Sequence, residues 1–426
     1  MQVVTLNYQQ MDGLNTVMPS GTIRIKTNRT LTTESLSTFM PFKVQEVQDS
    51  NGIYYGQNVI SKNMILIDRK KLQNGNSFIL GVSGSGKSFT AKQEITSIAL
   101  RDKNADIIIL DPEAEYRPLV ESLGGQVVKI SSTSSNHINA LELNKNYGYD
   151  DEDEKREKDP IVAKSEFMLS LCMQIMQEQN VNPYKKTIID RCSKLVYEDY
   201  KNRNYKGEPP TLNDFREILL QQKEKEAKEI ALALELFTKG SLNTFASQTN
   251  IEINNRILCY DINSLGDNLR PVGMLVLLDN ILNRISLNRQ KGKSTYIFID
   301  EIYLLFRYSY TAEFIEKLWK RIRKYGGFAT GITQNIQEVL ASSTASIMLS
   351  NRELLIMLNQ SAIDGDLLAE NLKLSDMEKS YITNVSSGEG LIKVKNSFIP
   401  FKNKFPKDTE LYKLMTTKLS DLKNNN

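Results

Sequence analysis

Residues 81–88 read GVSGSGKS and directly follow the apolar run Phe78-Ile79-Leu80. The octapeptide is a complete match to the pattern G-x-x-x-x-G-K-[ST], in which a strand runs into a glycine-rich loop and then into a helix. The glycines let the backbone turn tightly so that its N–H groups face a phosphate, and the amino end of the following helix also favours an anion. This stretch therefore predicts a nucleotide-binding α/β domain.

Two side chains of the loop have defined tasks in that chemistry. Lys87 is expected to reach the β- and γ-phosphate oxygens, and Ser88 to offer its hydroxyl to Mg²⁺. The residues expected to contact the nucleotide are Gly81, Ser83, Gly84, Ser85, Gly86, Lys87, Ser88 and Phe89. The alternative is a chance Gly/Ser-rich loop, which would leave the lysine and serine in register unexplained.

A second apolar run, residues 295–299, ends in Asp300 and Glu301. An unbroken apolar run is typical of a parallel strand covered on both faces, and such a strand carries the acids to the carboxyl edge of the sheet. There Asp300 is expected to hold Mg²⁺ through water opposite Ser88, and Glu301 to orient or deprotonate the attacking water. Taken alone, Asp300 and Glu301 would more simply be the acidic end of a surface strand. The phosphate-binding loop upstream makes their role in the nucleotide site the favoured interpretation.

Three carboxylates also follow the predicted strand at residues 106–110, within the stretch Asp111-Pro112-Glu113-Ala114-Glu115-Tyr116. They are expected to emerge at the same edge of the sheet. One of them serves the nucleotide site, or the group is simply a solvated strand exit; the sequence leaves both readings open.

Residues 317–324, KLWKRIRK, form a predicted basic helix before Tyr325-Gly326-Gly327 and a strand at residues 328–332. Gln334, after that strand, is placed to sense the γ-phosphate or to bind the water. An arginine of the helix would reach the nucleotide of a neighbouring subunit and neutralise charge in the transition state. The alternative is that Arg323 and Lys324 only complement the negative end of the helix dipole. A nucleic-acid stripe is disfavoured because few aromatic residues are interleaved.

The rest of the chain fits around this core. The first 75 residues hold short β-prone stretches at 22–25, 42–44, 53–56 and 64–67, with a predicted hairpin at Asn51-Gly52. A helix is predicted at 87–100 and another strand at 257–261. Residues 150–159 are almost wholly charged and are read as a solvated linker or the edge of a helix. Helical patterns follow at 165–179, 185–200, 212–222 and 224–238, with Thr211 and Asp214 as a capping pair.

We therefore expect four parts in the chain. These are a β-rich N-terminal segment (1–75), a first part of the P-loop α/β core (76–149), an all-α insertion (150–250), and a second part of the core with a C-terminal tail (251–426). The predicted fold class is a doubly wound α/β fold with this helical insertion and this small β-rich start.

Composition excludes several classes of protein. The net charge of +3 gives no global attraction to nucleic acid or to an anionic membrane. Cys172, Cys192 and Cys259 lack metal-site or disulfide spacing, which favours the reducing cytoplasm, and the one histidine, His137, cannot build a zinc site. The most apolar stretch, residues 272–285, is interrupted by polar residues, so no membrane span or signal peptide is predicted.

Taken together, these motifs resemble a known family. The chain resembles the ATPases of conjugation and type IV secretion at four places. These are the phosphate loop, the stretch 111–116, Ile299-Asp300-Glu301 before Leu304-Leu305-Phe306, and Arg323 to Gly327 before Thr333-Gln334-Asn335. The specific resemblance is to the fourth VirB component, and Pro41-Phe42 and Tyr55-Gly56-Gln57-Asn58 extend it. It covers residues 18–400. Family members are usually longer at the N-terminus, so the chain corresponds to their C-terminal ATPase part or to a short variant.

The resemblance implies an additional-strand P-loop ATPase related to the FtsK and HerA motors, using ATP and Mg²⁺. It implies an oligomer, a ring of six being one option, that works cytoplasmically at the inner face of the membrane with channel components as partners. It also assigns roles to residues: Lys87, Glu301, Arg323 and Gln334 would be catalytic, Ser88 and Asp300 would serve the metal, and Arg323 would be the arginine finger with Arg352 as runner-up.

Three functions remain open on the sequence alone. The favoured one is an ATPase motor of a DNA-transfer or protein-secretion apparatus; the others are a DNA translocase of the coupling-protein or HerA type and a nucleotide-dependent scaffold. The cargo, DNA or protein, is undetermined, and ATP over GTP rests on the family. The segment 386–390 before a strand at 391–394 lies either near the adenine or in a plain hairpin turn, and the turn is the favoured reading.

Overall fold

The structure is a computed structural model that describes residues 5–25, 30–37, 44–131, 134–145, 147, 159–251, 253, 255–307 and 309–417, without the side chains of residues 267, 268 and 310. The chain forms two compact units, residues 1–44 and 45–426. The first unit contains two short helices, α1 (Gln10–Val17) and α2 (Thr33–Ser37). The strand predicted at residues 22–25 is wrong, since these residues are irregular. Their β propensity has no neighbouring strand among the described residues to pair with. Residues 42 and 43 lie outside the described part of the chain.

One mixed sheet organises the second unit. Its strands in chain order are β1 (Ile53–Asn58), β2 (Met64–Ile67), β3 (Ser77–Leu80), β4 (Asp106–Asp111), β5 (Gln126–Lys129), β6 (Ile257–Asp261), β7 (Thr295–Ile299), β8 (Gly327–Thr333), β9 (Leu354–Leu358), β10 (Glu389–Val394) and β11 (Ser397–Lys402). Their order across the sheet is β2-β1-β11-β10-β9-β3-β8-β7-β4-β6-β5. From β9 to β5 all pairings are parallel, and from β9 to β2 all are antiparallel.

Helices connect these strands. They are α3 (Lys87–Arg101), α4 (Arg117–Ser122), α5 (Pro160–Met176), α6 (Pro183–Val196), α7 (Glu198–Asn202), α8 (Leu212–Gln221), α9 (Lys225–Ala233), α10 (Glu235–Thr238), α11 (Gly266–Gln290), α12 (Ser309–Lys324), α13 (Ile336–Ala341), α14 (Ser343–Ser350), α15 (Ala362–Leu372), α16 (Asp376–Ser380) and α17 (Glu410–Met415).

The strand order confirms the predicted fold class. Strand β8 lies between β3, which enters the phosphate loop, and β7, which ends before Asp300. This inserted strand defines the additional-strand type of P-loop fold. Because β3, β4, β7 and β8 are parallel, their carboxyl ends and the loops that follow them meet at one edge of the sheet.

The segment between β5 and β6 contains helices α5 to α10, as its sequence pattern predicts. Two of the predicted helices are each divided in two, 185–200 into α6 and α7 and 224–238 into α9 and α10. The predicted capping pair is confirmed, because Thr211 Oγ1 accepts from the Asp214 N–H and Asp214 Oδ2 accepts from the Thr211 N–H. The division of the chain at residues 75, 150 and 250 stays a prediction.

The turn at Asn51-Gly52 differs from its prediction. The Gly52 N–H donates to the Asp49 carbonyl, so a turn forms. It leads into β1 from a single bridge at Gln48, however, and does not join two paired strands. The hairpin partner of β1 is β2, which follows it through residues 59–63.

Both faces of the sheet are packed. On β4, Ile108 and Leu110 belong to the core on one face, while Ile107 and Ile109 belong to the core on the other. The second core also contains the apolar face of α3, the helix that begins at the phosphate loop. An unbroken apolar strand is stable here because neither of its faces meets water.

A buried arginine fastens α3 to the sheet. Arg69 is 2% exposed. Its guanidinium donates to Glu94 Oε1 on α3 at 2.6 Å, to Thr330 Oγ1 on β8 at 2.8 Å, and to the carbonyls of Gly75 and Ala329. The ion pair is buried on both sides, so each charge depends on the other for compensation.

We predict that Arg69→Met lowers the free energy of unfolding by about 3–5 kcal/mol, because it leaves Glu94 charged, buried and unpaired. Urea denaturation followed by circular dichroism measures the change. The double variant Arg69→Met/Glu94→Met is expected to lose less than the single one, since no charge is stranded. Arg117→Ala, which removes an exposed pair with Glu121, is the control and should cost about 0–1 kcal/mol. Equal losses for Arg69 and Arg117 would show that the buried network does not hold α3.

Candidate active site

The phosphate-binding loop joins β3 to α3 at the carboxyl edge of the sheet. Gly84 and Gly86 have φ angles of +76° and +105°, which side-chain-bearing residues rarely adopt. A Cβ on Gly81 would lie 2.4 Å from Ser85 Oγ, so the start of the loop has no room for a larger residue. Ser85 is buried, and its hydroxyl has no hydrogen-bond partner in the described part of the chain. The loop is thus compact, with its N–H groups at the amino end of a four-turn helix.

Lys87 lies inside this loop and is only 8% exposed. Its ammonium group donates to the Val82 carbonyl at 3.1 Å. Burial lowers the pKa of Lys87, and the nearby carboxylates of Asp300, Glu301 and Glu115 act in the opposite direction. A cation held in this way is placed to attract a phosphate.

Asp300 and Glu301 follow β7 and face the loop. Asp300 is 5% exposed, and its two oxygens accept from the Tyr116 hydroxyl at 3.3 Å and from the Glu301 N–H at 3.0 Å. Burial raises the pKa of Asp300 to about 8, and the charge of Glu301 adds to the rise. A neighbouring cation would reverse this shift, because it favours the charged form.

Glu301 has a backbone conformation that is unusual for a residue with a side chain. Its φ of +50° is left-handed, which costs energy of order 1–3 kcal/mol and is found most often at functional sites. Gln334, at the end of β8, donates to Glu301 Oε1 at 3.1 Å. The other oxygen, Oε2, is buried and has no hydrogen-bond partner among the described residues. Burial raises the pKa of Glu301 to about 7, which suits a group that takes a proton from water.

The acidic stretch after β4 separates into two roles. Asp111 is fully buried and accepts from the N–H groups of Glu113, Glu115 and Tyr116, so it holds the turn that follows. Burial raises its pKa to about 6. Glu113 and Glu115 instead line the cavity beside the loop. The stretch is therefore part of the site's wall, not a solvated strand exit.

A cavity of about 640 Å³ opens beside the phosphate loop. Of the residues predicted to contact nucleotide or metal, the structure places these on its wall: Ser83, Gly84, Gly86, Lys87, Ser88, Phe89, Asp300, Glu301 and Gln334. Gly81 and Ser85 do not line the cavity and support the loop from within. The volume accommodates a nucleoside triphosphate.

Sequence reasoning missed one wall of this cavity. It is formed by the segment after β11, including Asn403, Phe405, Tyr412 and Thr416. No phosphate-binding or catalytic pattern marks this segment. The only signal is topological: β11 runs in the same direction as β9 and β3, so its carboxyl end reaches the same edge. Arg270 on α11 was missed as well; its charge opposes the raised pKa of Glu301.

The segment 386–390 lies against the phosphate loop, so the favoured reading of a plain hairpin turn is wrong. The Gly388 N–H donates to the Ser85 carbonyl at 3.0 Å, and Ser386, Ser387 and Gly388 line the cavity. The segment leads from α16 into β10, whose amino end lies at this edge because β10 is antiparallel to β9. The sheet topology thus explains its position.

Arg323 and Arg352 are not part of this cavity. They precede β8 and β9, at the amino edge of the sheet. The seven residues of β8 alone separate Arg323 from the carboxyl edge by about 20 Å. Arg323 is exposed. Arg352 is 6% exposed, donates to the Met348 carbonyl, and lies over the Trp319 ring, and burial lowers its pKa to about 10. Of the two, Arg323 is the one that a neighbouring molecule can reach.

The donor set fits Mg²⁺ bound together with phosphates. Among the described residues, no group of three or more histidine, cysteine, aspartate or glutamate side chains could hold a metal ion. Mg²⁺ in phosphate sites is usually held by one or two protein oxygens, with phosphate oxygens and waters completing the shell. Ser88 and Asp300, both on the cavity wall, match that requirement.

Across the described residues, the structure contains no helix that is long and apolar enough to span a membrane.

Comparisons with known structures agree on the fold. VirB4 of Thermoanaerobacter pseudethanolicus matches with a TM-score of 0.73 at 22% identity, over 85% of this chain and 99% of that one. The conjugative coupling protein TrwBdeltaN70 in complex with sulphate matches with a TM-score of 0.54 at 13% identity, over 89% of this chain and 92% of that one. The coupling protein TrwB in complex with ADP and Mg²⁺ matches with a TM-score of 0.50 at 13% identity, over 90% and 95%.

Comparison of sequences adds a short relative and a family. The uncharacterized protein aq_aa31 of Aquifex aeolicus (strain VF5) is 35% identical over 52 residues, which are 12% of this chain and 19% of that protein. The model of the TraG P-loop domain matches residues 59–416. This match covers most of the chain and confirms the resemblance that the motifs indicate. The chain belongs to the TraG P-loop domain family.

Proposed function

We propose that this protein hydrolyses ATP with Mg²⁺ and is the ATPase motor of a conjugative transfer or type IV secretion apparatus. The observation that carries the enzymatic part is the state of Glu301: one oxygen is held by Gln334, and the other is buried and has no partner in the described chain. The charge of Lys87, on the wall of the same cavity, acts on this carboxyl group. A protein that only binds nucleotide does not need a carboxylate poised in this way.

Each residue of the site has its own role in hydrolysis. The loop N–H groups and Lys87 bind and orient the phosphates, while Gln334 fixes the direction of the Glu301 carboxylate. Glu301 Oε2 then accepts a proton from the attacking water. Bound Mg²⁺, held through Ser88 and Asp300, would neutralise charge on the phosphate oxygens. Tyr116 keeps Asp300 in place by its hydrogen bond.

We predict that Glu301→Gln lowers steady-state ATP hydrolysis by about 10²-fold or more while nucleotide binding is kept, because the amide cannot accept the proton. Phosphate release measures the rate, and titration calorimetry with ADP measures binding. Lys87→Ala should lose both, and Glu121→Gln, an exposed carboxylate on α4, should lose neither. Wild-type turnover by the Glu301 variant would contradict the proposed function.

The position of Arg323 supports an active site that is shared between subunits. This exposed cation lies at the opposite edge of the sheet from its own phosphate loop, so it can act only on the nucleotide of another copy. An arginine supplied from a neighbour is worth roughly 10³–10⁵ in turnover. The isolated monomer is then a poor enzyme, and the rate per subunit rises with protein concentration.

We predict that Arg323→Ala lowers hydrolysis by about 10³-fold, the low end of the range for such arginines, without loss of nucleotide binding. Mixing this variant with Lys87→Ala subunits should restore part of the rate, because the second variant supplies Arg323 to the intact loop of the first. Lys320→Ala, exposed on the same helix, is the matched control. A full rate in Arg323→Ala, or no recovery on mixing, would exclude Arg323 as the shared residue.

Membership of the family and the fold shared with its relatives support the proposed apparatus. VirB4 and the conjugative coupling protein TrwBdeltaN70 share this fold. We place the protein at the cytoplasmic face of the inner membrane, with channel proteins as partners and DNA or protein as cargo. Hydrolysis that ignores added single- and double-stranded DNA supports the secretion motor; strong DNA stimulation would favour a coupling-protein type of translocase, and no Lys87-dependent rate would favour a scaffold.

A further inference from the structure

The cavity beside the phosphate loop continues well beyond the residues that would hold phosphate. Lys87, Asp300 and Glu301 lie on one part of its wall, and the segment after β11 forms another. If the phosphates bind at the loop, as the proposed function requires, the base and sugar must occupy the space toward Phe89 and the residues after β11. The following inference rests on that placement.

Three aromatic rings meet in this part of the cavity. Phe89, one residue beyond Ser88, has its ring centroid 5.6 Å from that of Phe405 and 5.4 Å from that of Tyr412. All three side chains are half-buried and line the cavity. Stacking against aromatic faces stabilises any nucleic acid base, so this cluster explains binding of a base without explaining which base.

Two side-chain amides, Gln93 and Asn403, form a hydrogen-bonded chain from strand β1 to the part of the cavity that holds these rings. Gln93, on α3, donates through Nε2 to the backbone carbonyl of Tyr54 at 3.3 Å. Asn403, directly after β11, donates through Nδ2 to Gln93 Oε1 at 2.6 Å. Asn403 lines the cavity, and its Oδ1 is shielded from solvent and has no hydrogen-bond partner among the residues that the structure describes.

The direction of this chain is fixed at its far end. A backbone carbonyl can only accept, so the amide nitrogen of Gln93 must face Tyr54 and its oxygen must face Asn403. That oxygen in turn requires the nitrogen of Asn403. The oxygen of Asn403, Oδ1, is thereby fixed as an acceptor that has no donor among the described residues. A buried acceptor without a donor is costly unless a ligand supplies one.

We propose that Asn403 Oδ1 accepts a hydrogen bond from the exocyclic 6-amino group of adenine, with the base held against Phe89, Phe405 and Tyr412, and that this contact selects ATP over GTP. Adenine presents a donor at its 6-position, whereas guanine and hypoxanthine present a carbonyl acceptor there. Two acceptors facing each other repel. Gln93 acts as a positioning residue, because it orients Asn403 without touching the base.

The test is the ratio of affinities for ADP and IDP, which differ in the 6-substituent, measured by titration calorimetry with Mg²⁺. Wild-type protein should bind ADP about tenfold more tightly than IDP, the effect of one hydrogen bond. Asn403→Ala should bring the ratio close to one by weakening ADP. Phe405→Ala should weaken both nucleotides and leave the ratio unchanged. Thermal melts verify that each variant is folded.

Two substitutions of Gln93 separate orientation from simple packing. Gln93→Leu removes the acceptor that orients Asn403, so the amide is free to turn and the ratio should fall because IDP binding improves. Gln93→Glu loses the donor to the Tyr54 carbonyl but keeps an acceptor toward Asn403, so it should be less stable in the thermal melt and still prefer ADP. If Gln93 served only packing, its substitution would change the affinities for ADP and IDP by the same factor, and their ratio would stay the same.

The outcomes also distinguish this inference from the proposed function. The inference is overturned if the wild-type protein binds ADP in a Lys87-dependent way but binds ADP and IDP with affinities within twofold of each other. It is also overturned if the preference for ADP over IDP is unchanged in Asn403→Ala. Either result would leave the ATPase assignment standing. Failure of the wild-type protein to bind either nucleotide would overturn both.

Discussion

Strand β3 pairs in parallel with β8 on one side and with β9 on the other, and the site depends on this pairing. Parallel strands need long crossover connections, so the chain must leave the edge of the sheet and return in the same direction each time. Every return places the start of a new loop at the same edge. This one constraint brings together the phosphate loop, the turn after β4, the Asp300-Glu301 pair and Gln334, although the phosphate loop and Asp300 lie more than 200 residues apart in the chain.

The charges gathered at that edge are not balanced by the protein alone. Two buried lysines face four carboxylates: Lys87 acts on Asp300, Glu301 and Glu115, and Lys92 acts on Glu115, Asp111 and Asp300. Burial raises the pKa of both Asp300 and Glu301, and repulsion from neighbouring carboxylates adds to the rise. The protein alone therefore disfavours the charged form of these two side chains. A nucleotide with Mg²⁺ adds both an anion for Lys87 and a cation for the carboxylates. The site is therefore electrostatically matched to a metal–phosphate ligand, and less well matched to either ion by itself.

The amino edge of the sheet has a different character. Arg323 is exposed there, while Arg352 is packed over Trp319 and held by a backbone carbonyl. Two arginines that look equivalent in the sequence thus differ in accessibility. Arg352 is buried because it lies in the short connection between α14 and β9, over the Trp319 ring of α12, whereas Arg323 lies on an exposed position of α12 itself.

By itself the sequence determined the local chemistry. The phosphate loop, the apolar strands with their acidic ends, and the capping pair at Thr211 each depend on residues that are close in the chain, and for such features spacing and residue type suffice. Only the tertiary structure decided what depends on distant pairing. The strand predicted at residues 22–25 did not form, since β propensity has effect only beside a partner strand. The loop at 386–390 and the wall containing Asn403 belong to the site because β10 is the antiparallel neighbour of β9 and β11 is the antiparallel neighbour of β10. No local pattern encodes neighbours that are chosen through the packing of the whole sheet.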